Sequence, residues 1–220
     1  MSGAYEAVIF DMDGTLLDTL EDLADCMNRV LVRHGHAPHP VDAYRYFVGD
    51  GLENLVRRSL PEEGRAPKAI EALKEAMRAE YAEHWADKTR AYDGVPELLG
   101  ALKERGIRRA ILSNKPHAFT GEIAAHYFPA GLFEQVVGAR EGIPRKPDPR
   151  AALEIAGAMG VEPGRFLYLG DTNTDMRTGR GAGMFTVGAT WGFRPREELL
   201  DSGAQALIER PTEVLRFFGG

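Results

Sequence analysis

Short apolar runs, each closed by a polar cluster, punctuate this chain. Ala7-Val8-Ile9-Phe10 runs into Asp11-Met12-Asp13-Gly14-Thr15, and Ala110-Ile111-Leu112 into Ser113-Asn114. Phe166-Leu167-Tyr168-Leu169 runs into Gly170-Asp171-Thr172-Asn173-Thr174-Asp175. Runs this short and continuous predict buried strands. From residue 90 onward they alternate with helical patterns, which predicts βαβ units and a mostly parallel sheet. One helix is predicted over residues 96–105, with Leu98, Leu99 and Leu102 on one side and Gly106 as its stop. Another begins at Pro149, capped by Asp148, and runs to Met159 before Gly160. Val136-Val137 and Phe185-Thr186-Val187 predict further short strands.

The pattern changes over residues 16–88, where no strand is evident. Leu20, Leu23, Met27 and Leu31 recur at helical spacing, as do Ile70, Leu73, Met77, Tyr81 and Trp85. The expected fold class is therefore α/β. A Rossmann-like parallel sheet core with helices on both faces takes residues 1–15 and 89–220. An all-helical cap, residues 16–88, is inserted after the first strand. Because the chain leaves the core directly behind its first acidic cluster, the cap is expected to act as a lid.

Composition narrows the partners. The 220 residues suffice for one buried core plus a smaller unit. A net charge of −6 gives no general attraction to nucleic acid or to an anionic membrane, so an anionic ligand needs local Lys, Arg or metal. The single Cys26 excludes an intramolecular disulfide and reads as buried filler in a helix. The start, Met1-Ser2-Gly3-Ala4-Tyr5-Glu6, lacks a basic segment followed by an apolar one, so no signal peptide is expected. No apolar run approaches the roughly 20 residues that span a bilayer. A cytoplasmic location is expected.

Polar groups at the exits of parallel strands stand where open α/β sheets bind ligands. Asp11 and Asp13 are two apart, so in extended chain both carboxylates face one cavity, and Gly14 lets the backbone turn behind them. Adjacent carboxylates require a cation between them or a retained proton. A hard divalent cation answers that need, and Mg²⁺ suits a site of few carboxylates plus a phosphate oxygen. Asp171 and Asp175 add acidic oxygens from another exit. Such a set fits phosphoryl transfer: one aspartate as nucleophile, forming an aspartyl-phosphate, and a second carboxylate as acid and then base. The cation and Lys146, stiffened by Pro144 and Pro147, would neutralise charge on the transferring group. Ser113, Asn114 and nearby backbone N–H groups are candidate phosphate contacts, whereas Lys115 is expected to be solvated or an auxiliary contact. Gly49-Asp50-Gly51 precedes a helical pattern and is either a receptor for a substrate carboxylate or a plain turn. Arg57 and Arg58 follow it, either reaching substrate or exposed.

These clusters resemble the motifs of the haloacid dehalogenase-like superfamily of phosphohydrolases, in the right order along the whole chain. Asp11-Met12-Asp13-Gly14-Thr15 is similar to its first motif, Ser113 to its second, Lys146 to its lysine, and Asp171 with Asp175 to its acidic motif. The resemblance implies that Asp11 is the nucleophile and Asp13 the acid/base. It implies Mg²⁺ held by Asp11, the backbone carbonyl of Asp13 and Asp171, with Asp175 nearby as an orienting acid or a further ligand. The helical insertion resembles the cap that the superfamily places between its first and second motifs. The dehalogenase branch normally lacks the second aspartate, so Asp13 implies phosphate chemistry. Asp18-Thr19-Leu20-Glu21-Asp22-Leu23, the stretch from Val48 to Leu55, and Thr190-Trp191-Gly192-Phe193 are most similar to phosphoglycolate phosphatases.

The implied activity is Mg²⁺-dependent hydrolysis of a small phosphorylated metabolite, with 2-phosphoglycolate first among the choices. Phosphatases of sugar phosphates, pyrophosphate or nucleotides share similar stretches and remain open. A phosphomutase would call for several cationic cap residues, for which Arg57, Arg58 and Arg65 are the obvious cluster. An inactive phosphate-binding module would not need Asp11, Asp13 and Lys146 together. Nucleic acid and membrane are not expected partners, and monomer and homodimer are both open.

Overall fold

Every residue of the first strand, β1 (Ala7–Phe10), is fully buried, so it requires neighbours on both edges and cover on both faces. The computed structural model, which describes residues 5–219, supplies both. Residues 1–4 and 220, the outermost positions of the expected core, lie outside the described residues. After β1 come β2 (Leu17–Asp18), α1 (Leu20–Arg33), α2 (Tyr44–Phe47), α3 (Leu52–Ser59), α4 (Pro67–His84) and β3 (Arg90–Ala91). Then follow α5 (Val95–Glu104), β4 (Arg108–Pro116), α6 (His117–Tyr127), β5 (Gln135–Ala139) and α7 (Arg150–Met159). The chain closes with β6 (Phe166–Gly170), α8 (Asn173–Gly181), β7 (Phe185–Ala189), α9 (Arg196–Asp201), β8 (Ala206–Ile208) and a 3₁₀ segment, Pro211–Phe218.

Six strands form one parallel sheet in the order β5-β4-β1-β6-β7-β8. Alternate residues of the central strands point to opposite faces. Ala7, Ile9, Ala110, Leu112, Val137, Phe166 and Tyr168 join one cluster with Ala152, Ile155 and Met159 of α7. The α/β architecture, a parallel sheet flanked by helices, is as expected. The apolar run that ends at Leu112 does not end β4, which continues to Pro116. Its pairing slips there: Leu112 faces Val137 and Pro116 faces Ala139, so four residues of β4 advance against two of β5. Ser113 and Asn114 therefore lie in an irregular strand end rather than beyond it.

By internal packing the chain divides into residues 1–17 with 91–220, and residues 18–90. The second unit is helical. Its α1 and α4 pack together, burying Leu20, Leu23, Met27 and Leu31 and, from α4, Ile70, Leu73, Met77 and Tyr81. Cys26 is fully buried among them, and burial pushes its thiol up to about 12. Asp22, also buried, accepts hydrogen bonds from Lys88 N (3.0 Å), Thr89 N (2.8 Å) and Thr89 Oγ1 (2.7 Å), tying the first turn of α1 to the returning chain. The short pair β2–β3 was not expected; two residues per strand are too few to carry an alternating pattern.

Candidate active site

The site grows from the carboxyl ends of β1, β4 and β6. Beyond β1 the amides of Leu16 and Leu17 both donate to Met12 O, at 3.0 and 2.9 Å, closing a tight loop behind Asp11. Gly14 makes this loop possible at φ +79°, and a Cβ there would lie 2.2 Å from Asp171 Oδ2. So the glycine serves two ends: the left-handed turn and the close approach of a neighbouring carboxylate.

Asp11 is buried, and its Oδ1 accepts from Met12 N at 2.7 Å and lies 2.8 Å from Lys146 Nζ. The same ammonium donates to Asp175 Oδ1 at 2.7 Å. Lys146 is held by its main chain, because Asn114 Oδ1 accepts from Lys146 N (3.0 Å) and Asn114 Nδ2 donates to Lys146 O (3.2 Å). Asn114, expected as a phosphate contact, thus commits its side-chain amide to positioning the lysine. Ser113 is buried beside it, its Oγ accepting from Lys115 N at 3.1 Å.

At the end of β6, Asp171 is fixed by donors to both oxygens: Thr15 Oγ1 to Oδ1 and Phe193 N to Oδ2, each at 2.8 Å. Gly192 allows this, since a Cβ there would fall 2.2 Å from Asp171 Cβ. Helix α8 then starts with a capping box between Thr172 and Asp175. Asp175 Oδ2 accepts from Thr172 N (3.1 Å) and Thr172 Oγ1 (2.6 Å), while Oδ1 accepts from Lys146 and, at 3.5 Å, from Tyr168 Oη. A carboxylate offers about four lone-pair sites. Protein donors take all of those on Asp175 but leave room on Asp171.

Charge is the notable property of this cluster. Asp11, Asp171 and Asp175 each offer an oxygen within 4.8 Å of one another, and all three are buried. With all three ionised, the carboxylates would exceed the Lys146 ammonium by two negative charges, which a divalent cation would offset. Burial and the neighbouring Asp175 hold Asp11 well above the ordinary carboxylate range, although Lys146 opposes the shift. Burial and Asp175 likewise push Asp171 up to about 7. Burial works against the charge on Lys146, yet Asp11 and Asp175 raise its affinity for the proton well above that of a free lysine. Buried oxygen donors that, once ionised, outnumber their ammonium fit a hard divalent metal.

Asp13 stands apart from that group. Its Oδ1 lies 2.8 Å from Lys115 Nζ, and both side chains are largely buried. Lys115 is therefore an ion-paired member of the site rather than a solvated lysine. Thr15, Tyr168, Thr172 and Phe193 also hold the aspartates, and none was assigned a role from the sequence. The Thr172-x-x-Asp175 spacing does encode its capping box; nothing in the sequence points to the Phe193 amide. Trp191 Nε1 donates to Thr15 O at 3.1 Å.

Gly49 and Gly51 belong to the helical unit, at φ 111° and 86°, and form the turn before α3. In the same unit, Arg58 pairs with Asp50 and Arg57 with Glu53 (3.2 Å), so both arginines have partners within the insertion.

Comparison with known proteins agrees with this geometry. The sequence profile of haloacid dehalogenase-like hydrolases matches residues 5–183. A phosphoglycolate phosphatase of Psychrobacter arcticus is 32% identical over 200 residues, covering 88% of this chain and 87% of its own. An N-acetylmuramic acid 6-phosphate phosphatase of Pseudomonas aeruginosa is 32% identical over 211 residues, covering 96% and 93%. The crystal structure of a provisionally assigned phosphoglycolate phosphatase from Lactobacillus delbrueckii subsp. bulgaricus superposes with a TM-score of 0.92 at 28% identity, covering 100% of both chains. Among the described residues, no helix is long and apolar enough to cross a membrane.

Proposed function

The chain belongs to the haloacid dehalogenase-like hydrolases and is a phosphoric monoester hydrolase, and from that premise we propose that it cleaves 2-phosphoglycolate to glycolate and phosphate with Mg²⁺ as its metal. The observation that carries the chemistry is the buried trio Asp11, Asp171 and Asp175, in which one lysine, Lys146, pairs with Asp11 and Asp175. Asp11 and Asp171 would hold the metal, together with the backbone carbonyl of Asp13. Asp175, whose lone pairs are taken by Lys146, Tyr168 and Thr172, instead orients the lysine. When bound, the cation would offset charge on the phosphoryl group and on the Asp11 carboxylate.

In this reading Asp11 attacks phosphorus, its oxygen forming the new P–O bond as the bond to the glycolate oxygen breaks. Asp13 gives a proton to the departing oxygen, then takes one from the water that cleaves the aspartyl-phosphate. Lys146 and the Ser113 hydroxyl contact the phosphoryl oxygens, and Asn114 keeps the lysine in place. As the water oxygen bonds to phosphorus, the P–O bond to Asp11 breaks, returning Asp11 as a carboxylate, and inorganic phosphate leaves.

The substrate assignment rests on the curated relatives, and one of them is named for a larger carboxylated phosphate, N-acetylmuramic acid 6-phosphate. Steady-state kcat/KM with Mg²⁺ across 2-phosphoglycolate, N-acetylmuramic acid 6-phosphate, glucose 6-phosphate, pyrophosphate and a nucleoside monophosphate tests it. The expected result is a clear preference for 2-phosphoglycolate. A higher kcat/KM for any other member of the panel overturns that assignment and leaves the phosphatase standing.

A further inference from the structure

Three of the site's four aspartates are paired with two different lysines. Lys146 serves Asp11 and Asp175, at 2.8 and 2.7 Å. Lys115 serves Asp13 at 2.8 Å, the two side chains being 11% and 16% exposed. Water screens such a pair far less than it does a surface pair, so its geometry is held more firmly.

The backbone that carries Lys115 is itself pinned. Lys115 N donates to Ser113 Oγ at 3.1 Å, and Lys115 O accepts from Thr120 Oγ1 at 3.3 Å. Gly138 of β5 closes on the same carbonyl so tightly that a Cβ there would lie 2.6 Å from it. The irregular end of β4 therefore delivers Ser113 and Lys115 as one rigid piece.

Charge gives this pair its purpose. Lys146 already serves two carboxylates, Asp11 and Asp175, with Asp171 close by. A further anion drawn towards Lys146 would compete with Asp11 for the ammonium. An ammonium of its own keeps the Asp13 carboxylate outside that competition and at a fixed angle.

We propose that Lys115 is the positioning residue for Asp13, orienting its carboxylate for proton exchange with the leaving oxygen and the attacking water. This rests on the reading of Asp13 as the acid/base. Misplacing a catalytic group by about 1 Å can cost on the order of 10²-fold in rate. Lys115→Met is thus expected to lower kcat for 2-phosphoglycolate by about 10–100-fold with KM little changed.

With 4-nitrophenyl phosphate, whose leaving group needs little protonation, the pre-steady-state burst should persist while steady turnover slows. Lys115→Arg, which can still reach the carboxylate, should recover part of kcat. In an Asp13→Asn background, Lys115→Met should cost nothing further, because its effect passes through Asp13. Urea melts of each variant establish that the fold is intact, and Lys115→Arg carries the test if Lys115→Met does not fold. A raised KM at unchanged kcat, or a full additional loss in the Asp13→Asn background, would overturn the proposal. Should Asp13→Asn alone slow both half-reactions equally, the acid/base reading fails instead, and the two failures are told apart.

Discussion

As the proposed nucleophile, Asp11 meets opposing demands: an anion is needed to attack phosphorus, yet burial and Asp175 favour its protonated form. In the proposed mechanism the Lys146 ammonium, which already opposes the shift, and a cation would together tip that balance. Asp11→Asn keeps the shape and removes both the charge and the nucleophile, so it should abolish turnover without loss of fold. A rapid acid quench during turnover of the unsubstituted enzyme should find phosphoryl label on Asp11; label on a serine would refute the covalent route. Gly192 is the less obvious residue. Gly192→Ala puts a methyl group 2.2 Å from Asp171 Cβ, which forces the loop or the carboxylate to move. The expected effect is a loss of about 1–3 kcal/mol in stability, the usual range for overpacking, together with weakened metal binding. A urea melt and a Mg²⁺ titration check the two parts separately. At this scale the acidic residues stood out in the sequence because charged side chains at strand exits are chemically conspicuous, and Lys146 because Pro144 and Pro147 stiffen the chain around it. The Phe193 amide and the role of Gly192 did not, since backbone donors and empty space leave no mark in residue type.

Helix α8 shows how one element can serve both fold and site. Thr172 is its N-cap, and the same hydroxyl donates to Asp175 Oδ2 at 2.6 Å while accepting from Asp175 N. Thr172→Ala should cost about 0.5–2 kcal/mol in thermal or urea unfolding, the range of a lost N-cap. Because Asp175 also holds Lys146, kcat should fall as well, and unchanged kcat with lowered stability would show that Asp175 needs no such support. Long elements were legible: α1, α4, α5 and α7 each carry an apolar stripe at helical spacing, and β1 and β6 are unbroken apolar runs. One boundary moved slightly, since α7 begins at Arg150 with Pro149 as its N-cap and Asp148 Oδ1 accepting from Arg150 N. The extension of β4 to Pro116 was hidden by its polar residues. A hydropathy pattern ends a strand where apolar residues end, whereas backbone pairing continues past them.

For the whole molecule, a buried cluster of three carboxyl groups makes a proton and any bound metal compete for one place. Asp171, pushed up to about 7 from an ordinary 3.8, holds a proton in the metal-free protein below that value and must release it to bind a cation. Mg²⁺ should therefore bind more weakly as pH falls from 8 to 6. Calorimetry in two buffers of different ionisation enthalpy would register the released proton. The sign for stability follows: a carboxyl with a raised folded value favours the fold below about pH 4, and this contribution is lost as pH rises through 7. Mg²⁺ should thus raise the melting temperature more at pH 8 than at pH 6; an equal rise at both would refute it. The sheet order carries a different consequence, one of timing. Strand β1 is the first described strand to be synthesised but lies in the middle of the sheet, between β4 and β6. Its second partner begins at Phe166, so at 5–20 residues per second one edge of β1 waits roughly 8–30 s for completion. The helical unit, residues 18–90, is continuous in sequence and owes nothing to that delay. On the ribosome the insertion can acquire its structure while the strand that precedes it is still exposed, and chains arrested before Phe166 should be helical, protease-resistant over residues 18–90, and prone to aggregate through β1.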